Sequence, residues 1–279
     1  MKTLKTAFLL TALTLLLLFI GDAFGGQRGL TLALVFAVLM NGGAYFFSDK
    51  IALASSGAVP IARDQEPRLY AVMERLAAKA NLPMPKLYMI PQPAPNAFAT
   101  GRNPSHASVA VTQGLMELMN DDELEGVIAH ELSHVRNYDI LTSSIAATVA
   151  GAITWVARMG FWFGGGRDDR NRGAGIIGIL MLFLAPLAAL LLQLGISRQR
   201  EYQADASGAQ MVGYANGLIS ALEKLGAYNK RIPMDVPPST SALMIVQPLT
   251  ARGMFSSLFS THPPLSDRIA ALRAMTITR

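Results

Sequence analysis

"AHELSHVRNYD", Ala129 to Asp139, holds two of the chain's four histidines in the order H-E-x-x-H. On an α-helix, residues four apart share a face, so His130 and His134 can present imidazole nitrogens to one metal ion with Glu131 beside it. The bland alternative is an ordinary helix that happens to carry both histidines. The preceding residues supply a helix start. In "NDDELEGVIAHELSHV", Asn120 is a candidate N-cap and Glu123, three residues on, fills the capping-box position. One helix should therefore run through both histidines.

Composition sets the surroundings of that helix. The 279 residues are 51% hydrophobic and only 15% charged, which is unusual for a water-soluble protein and points to a membrane. There are no cysteines, so disulfides are excluded and any zinc must be held by nitrogen and oxygen ligands. The net charge of +5 comes from scattered Lys and Arg without interleaved aromatics, which argues against nucleic acid and suits the flanks of membrane segments.

Four apolar runs stand out. Ala7 to Ile20, behind Lys2 and Lys5, and Leu30 to Phe47 read as a two-helix hairpin within residues 1–50; a signal-peptide core is the other reading of the first run. Ile140 to Phe163, which contains Arg158, and Ile176 to Ile196 form a second hydrophobic pair across 140–196, around the Gly-rich turn "GGGRDDRNRGAG". Residues 51–139 and 197–279 are soluble in character and make the two parts of one domain. In the first, "EPRLYAVMERLAAKAN" has helical periodicity, with Leu69, Val72, Met73, Leu76 and Ala77 on one face. The β-prone runs Lys86 to Ile90 and Ser108 to Thr112, separated by turn residues, predict a small antiparallel sheet. In the second part, helices are expected over "SRQREYQADASGAQMVG", Gly217 to Leu225 and Leu265 to Arg273.

A catalytic zinc takes three protein ligands and keeps one open position for water. In proteases whose third histidine follows closely, the motif is H-E-x-x-H-x-x-G-x-x-H; here Asn137 and Ile140 stand at those positions. The remaining route is a carboxylate on a later helix, and "REYQAD" offers Glu201 with Asp205 four residues on. Carboxylates so spaced repel unless a cation or donor answers them: Glu201 on a metal and Asp205 on a ligand histidine would do so, whereas a solvated face balanced by Arg198 and Arg200 is the plain alternative. Asn137 and Asp139 compete with Asp205 for the role of orienting a histidine. His130 and Glu201 can share an ion only if an even number of crossings separates them, a condition the two intervening apolar runs meet. Lys2, Lys5, Lys50, Arg198 and Arg200 favour the cytoplasm for both soluble parts.

Together "HELSH", "EYQAD", "NAFATG" and "THPPLSDRIAAL", with hydrophobic pairs before and between them, resemble the HtpX-type membrane zinc metalloproteases, bacterial relatives of the CAAX prenyl proteases. The resemblance covers nearly the whole chain. It implies a mostly helical α+β, gluzincin-like domain with a small antiparallel sheet, anchored by up to four transmembrane helices. It implies one Zn(2+) on His130, His134 and Glu201, with Glu131 as catalytic base. It further implies an inner-membrane endopeptidase of protein quality control that faces the cytoplasm and cleaves misfolded membrane proteins.

The residues suit that chemistry. Zinc lowers the pKa of bound water toward about 7, and Glu131 can take its proton and return it to the leaving amine. His262 or Arg268 in "HPPLSDRI" is the candidate donor to the oxyanion, the alternative being a Pro-started helix with exposed polar residues. Asn96, Ala97 and Phe98 are either a plain turn into a sheet edge or the start of a strand that pairs with extended substrate. His106 reads as a surface-loop residue. Glu201 follows the last apolar run so closely that the metal should sit near the membrane surface. Maturation of lipidated peptides is the rival enzymatic reading; a transporter or metal-storing scaffold is the non-enzymatic one, and the scarcity of polar residues in the apolar runs weighs against transport.

Overall fold

The structure, a computed structural model, describes residues 2–163, 197–229, 231–248 and 262–277. The fourth apolar run and the Gly-rich turn before it lie outside these residues.

Helix α1, Lys2–Ser55, is two helices joined at Gly26, whose φ of 53° and ψ of −142° break the helical path. The chain reverses there. Asn41 Nδ2 donates to Thr14 Oγ1 at 2.8 Å, and a continuous helix would hold those residues about 40 Å apart. Packing next to the reversal is tight: a Cβ on Gly29 would clash with the Gly21 carbonyl oxygen, so only glycine fits. Among the described residues, Gly25–Ser55 is the one segment long and apolar enough to cross a membrane, with mean hydropathy 1.8. Leu32, Val38 and Leu39 project outward from it, each more than 60% exposed. That display is unfavourable in water and natural in lipid.

The sheet has four strands, β1 (Val59–Pro60), β2 (Lys86–Ile90), β3 (Ala97–Gly101) and β4 (Ala107–Thr112), in the order β1-β2-β4-β3. The expected antiparallel sheet is mixed. β1–β2 and β3–β4 are antiparallel, but β2 and β4 run parallel, with Lys86 opposite Ser108 and Ile90 opposite Thr112. The reason is "NAFATG", which is a strand as well as a turn. The chain leaves β2, lays β3 on the far edge, then folds back through Gly101 and the short 3-10 turn Pro104–His106, so β4 is inserted between them. Gly101 has a φ of 140°, and a Cβ there would clash with the His106 carbonyl oxygen. His106 is exposed and pairs with Asn103, as a loop histidine should.

Every residue of β3 and β4 is buried, because both faces of the sheet are covered. Ala97, Ala99, Val109 and Val111 face one core with α2 (Pro67–Lys79) and α4 (Asp121–Arg136); α3 (Gln113–Leu118) leads between sheet and α4. Phe98 and Ala110 face the other, against Ala52 and Leu53 of α1 and Met234, Val236 and Met244. Alternation along each strand thus sorts neighbours into two cores. The period-3.6 face read from "EPRLYAVMERLAAKAN" is the buried face of α2.

Helix α5, Asp139–Phe163, packs its Ile145, Ala146, Val149 and Ala150 near Ala44 of α1. After residue 197 come α6 (Arg198–Val212), α7 (Asn216–Tyr228), the short α8 (Pro238–Ser241) and α9 (Leu265–Arg273). The central element is α4, enclosed by α2, α6, α7 and β3. Two glycines permit that closeness. A Cβ on Gly126 would lie 2.6 Å from the Leu218 nitrogen, and one on Gly208 would lie 2.9 Å from the His130 nitrogen. Helix α6 therefore lies backbone to backbone against the histidine-bearing turn of α4.

Candidate metal centre

Helix α4 starts as its sequence dictates. The Asn120 side chain accepts from the Glu123 N–H and the Glu123 carboxylate accepts from the Asn120 N–H, both at 2.9 Å. Acidic Asp121, Asp122 and Glu123 at this end match the positive pole of the helix dipole. Three turns on, His130 and His134 project from one face with their Nε2 atoms 3.3 Å apart. Glu201, in the first turn of α6, reaches them: its Oε1 is 3.5 Å from His134 Nε2 and its Oε2 is 3.8 Å from His130 Nε2. The three ligand atoms lie within 4.8 Å of one another.

Those separations fit a metal. Zinc–nitrogen bonds of 2.0–2.1 Å in a tetrahedron set ligand atoms about 3.3 Å apart. A carboxylate and two imidazoles crowded this closely without a shared cation would leave lone pairs facing one another. Glu201 Oε2 and His262 Nδ1 are buried and neither makes a hydrogen bond of acceptable geometry among the described residues, although they lie 3.1 Å apart. This set of nitrogen and oxygen donors suits zinc.

Each histidine is held from behind. His130 Nδ1 is 2.9 Å from Asp205 Oδ1, and Asp205 is gripped by Arg268 through Nη2 at 2.6 Å and Nε at 2.8 Å. Arg268 is fully buried, and its Nη1 donates to the Ile245 carbonyl at 2.8 Å. His134 Nδ1 is 3.4 Å from Asp139 Oδ2, and Arg200 Nη1 donates to Asp139 Oδ1 at 3.3 Å. In both cases the far nitrogen carries the proton toward a carboxylate, so Nε2 presents its lone pair to the metal. Tyr138, at φ 61°, makes the turn between α4 and α5 that brings Asp139 back beside His134. Asn137 is the C-cap residue of α4, and no described side-chain hydrogen bond joins it to either histidine.

Electrostatics separate these groups. Burial pushes the Glu131 carboxyl up, and neighbouring Glu201 adds to this, to about 7; His134 and the Ala99 N–H that donates to it act in the opposite sense. Burial alone would pull His134 down, but Asp139, Glu201 and Glu131 outweigh it and hold the imidazole at about 9. Burial lowers His130. Burial opposes charge on Glu201, yet His262, His134 and Arg268 keep its carboxyl well below the usual range. A base poised near neutrality beside an ionised ligand is the division of labour a hydrolytic metal site needs.

The two candidate oxyanion donors are placed differently. Arg268 hydrogen-bonds Asp205 and the Ile245 carbonyl, with its Nη1 also 3.7 Å from Glu201 Oε2. His262 sits at the metal end, with Nε2 donating to the Ala242 carbonyl at 3.2 Å and Nδ1 turned to Glu201. Asn96 is a fully buried bracket: its Nδ2 donates to the Val246 carbonyl at 2.8 Å, and the Ala97 carbonyl accepts from the Ile245 N–H at 2.9 Å. Phe98 is buried in the second core. Sequence reasoning did not single out Gly208, or Arg200 as a partner of Asp139. The only signal for Arg200 was its place one residue before Glu201.

Comparison with known proteins agrees with this geometry. The model of Peptidase family M48 matches residues 63–276. The chain is 54% identical to the Protease HtpX homolog of Desulfatibacillum aliphaticivorans, over 96% of this chain and 88% of that one. It is 51% identical to the Protease HtpX homolog of Syntrophobacter fumaroxidans, over 97% and 98% of the two chains. The crystal structure of S. mikatae Ste24p aligns with a TM-score of 0.53 at 22% identity, covering 97% of this chain and 64% of that one, and shares its fold. With a family model spanning the two histidines, the glutamate and both residues behind them, this chain belongs to peptidase family M48 and is a metalloprotease of the HtpX type.

Proposed function

We propose that the chain is a membrane-anchored zinc endopeptidase that cuts misfolded or damaged membrane proteins at the cytoplasmic face of a bacterial inner membrane. The observation that carries the chemistry is the cluster of His130, His134 and Glu201 around one point, with Glu131 adjacent and near neutrality. A zinc ion on those three residues supplies a Lewis acid that polarises the scissile carbonyl and acidifies water. Glu131 accepts the proton of the attacking water on its carboxylate and returns it to the leaving amine. His262, with Nε2 anchored on the Ala242 carbonyl and Nδ1 at the metal end, is the donor toward the developing oxyanion. An extended substrate pairs with the edge of β3 and exchanges with the Ile245 and Val246 contacts at Asn96 and Ala97.

The membrane assignment rests on the α1 hairpin. Its outward apolar surface suits lipid, and its two ends carry Lys2, Lys5 and Lys50 on the same side, which favours the cytoplasm by the positive-inside rule. The protease domain begins where α1 ends, so the cleft stays near the bilayer, where exposed segments of membrane proteins are within reach. The test compares zinc-loaded wild type with Glu131→Gln in detergent on an unfolded membrane protein. The substitution should lower turnover by roughly 100-fold or more at unchanged zinc content. Equal cleavage by the two would remove Glu131 from the mechanism.

A further inference from the structure

In the sequence Arg200 stands as one of the cations flanking an apolar run and, in the plain alternative to a metal site, as a balance of charge on a solvated helix face. In the structure it is turned inward, and the side chains of Arg200, Asp139 and His134 are only 13–16% exposed. Neighbouring residues on a helix point about 100° apart. One turn of α6 therefore directs Glu201 at the metal point and Arg200 at Asp139. Asp139 in turn opens α5 and faces His134. Three elements, α4, α5 and α6, thus meet in the line Arg200–Asp139–His134.

We propose that Arg200 is a positioning residue of the metal centre: acting through Asp139, it fixes the imidazole plane of His134 and the first turn of α6, and so ties both ends of the apolar stretch between residues 139 and 200 to the metal. The inference rests on reading the cluster as a metal site. Asp139 without Arg200 keeps a hydrogen-bond acceptor for Nδ1 but loses the donor that aims it. His134 is then free to rotate about its side-chain bonds, and the ligand set is disordered before metal arrives. Arg200 touches neither substrate nor the reacting atoms, and its effect is read in the geometry of the bound metal.

The experiment uses the full-length protein in detergent, stripped of metal and titrated with Co(2+). The visible d–d absorption reports ligand geometry, and zinc affinity is read by competition with a chromogenic chelator. Arg200→Gln and Asp139→Asn should each weaken zinc about tenfold, at the lower end of what such supporting partners contribute, and should perturb the cobalt spectrum alike. The double variant should be no worse than Asp139→Asn alone, because one residue acts through the other. Arg200→Lys, which keeps the charge, should recover part of the affinity. A wild-type spectrum and affinity in Arg200→Gln, or full additivity in the double variant, would overturn the proposal while leaving the metal site standing. Failure of wild type to bind one cobalt would overturn both. If Arg200→Gln does not fold, Asp139→Asn against Arg200→Lys makes the same comparison, and equal affinity to wild type in both would again refute it.

Discussion

The two histidines of the metal centre are held by chains of the same chemistry and different quality. Behind His130, Asp205 and Arg268 close up at 2.6–2.9 Å with almost no exposure. Behind His134, Asp139 and Arg200 stand at 3.3–3.4 Å and keep some contact with solvent. The first chain joins α4, α6 and α9 inside the protein core. The second joins α4, α5 and α6 at the border with the apolar segments. A site built this way has one ligand braced by short contacts in the core and one braced by longer contacts to the start of α5 and the first turn of α6.

The harshest way to break the contrast is Arg268→Gln. It leaves the Asp205 carboxylate buried without its cation, which should cost about 3–5 kcal/mol. A chemical denaturation curve of the metal-free protein checks this, and a loss below that of Asp139→Asn would invert the ranking of the two chains. Gly208→Ala strikes both chains at once. Its methyl would meet the backbone at His130, at a typical overpacking cost of about 1–3 kcal/mol, and shift Glu201, Asp205 and Arg200 together. Zinc affinity measured by chelator competition should fall further than for Asp139→Asn, since every partner contributed by α6 moves.

Protonation sharpens the comparison further. His134, held at about 9, carries a second proton and is an imidazolium in the metal-free protein at pH 7, whereas His130, lowered by burial, stays neutral with its one proton on Nδ1. Metal binding at pH 7 should then release about one proton from the histidines, all from the looser chain. Calorimetric titration in buffers of different ionisation heat counts it, and Asp139→Asn should reduce the number. The linked stability follows the same sign. A histidine raised from 6.5 to about 9 stabilises the metal-free fold fully below 6.5, and that contribution disappears as pH rises through about 9.

The smallest expected effect is the control at the other end of α4. Asn120→Ala removes the cap and should cost about 1 kcal/mol without altering zinc affinity or proton release. Glu123 there is opposed by burial but held below its ordinary value by Lys224, Ser220 and the Asn120 backbone. Its contribution is present above about 4.5 and lost as pH falls through the folded value, so melting temperatures of Glu123→Gln should lose that acid-side slope.

Much of this was legible because it is local. The start of α4 is set by Asn120 and Glu123, the pairing of His130 with His134 by the helical period, and the buried face of α2 by its repeat. Spacing offered Glu201 and Asp205 only as candidates beside a solvated helix face, and it was the resemblance of "HELSH" and "EYQAD" to the HtpX-type proteases that implied Glu201 as the third ligand. The sheet was misread where a short run, "NAFATG", acts as both turn and strand, since six residues cannot announce which edge they will join. The partners of Arg268, read as a candidate oxyanion donor, and of Arg200 were illegible for another reason. Each arginine pairs with a carboxylate more than 60 positions away, and an arginine on a polar helix looks the same whether its partner is water or an aspartate.

The sequence by itself determined the helix with its two histidines and base, and the apolar segments, because spacing and hydropathy act between near neighbours; it offered Glu201 as a candidate, and the fold brought it to the histidines. The tertiary structure decided the mixed sheet, the close approach of α6 at Gly208, and which arginine stands behind which histidine. Those depend on the packing of elements that meet only once the chain has folded, where burial turns a common surface charge into a fixed support.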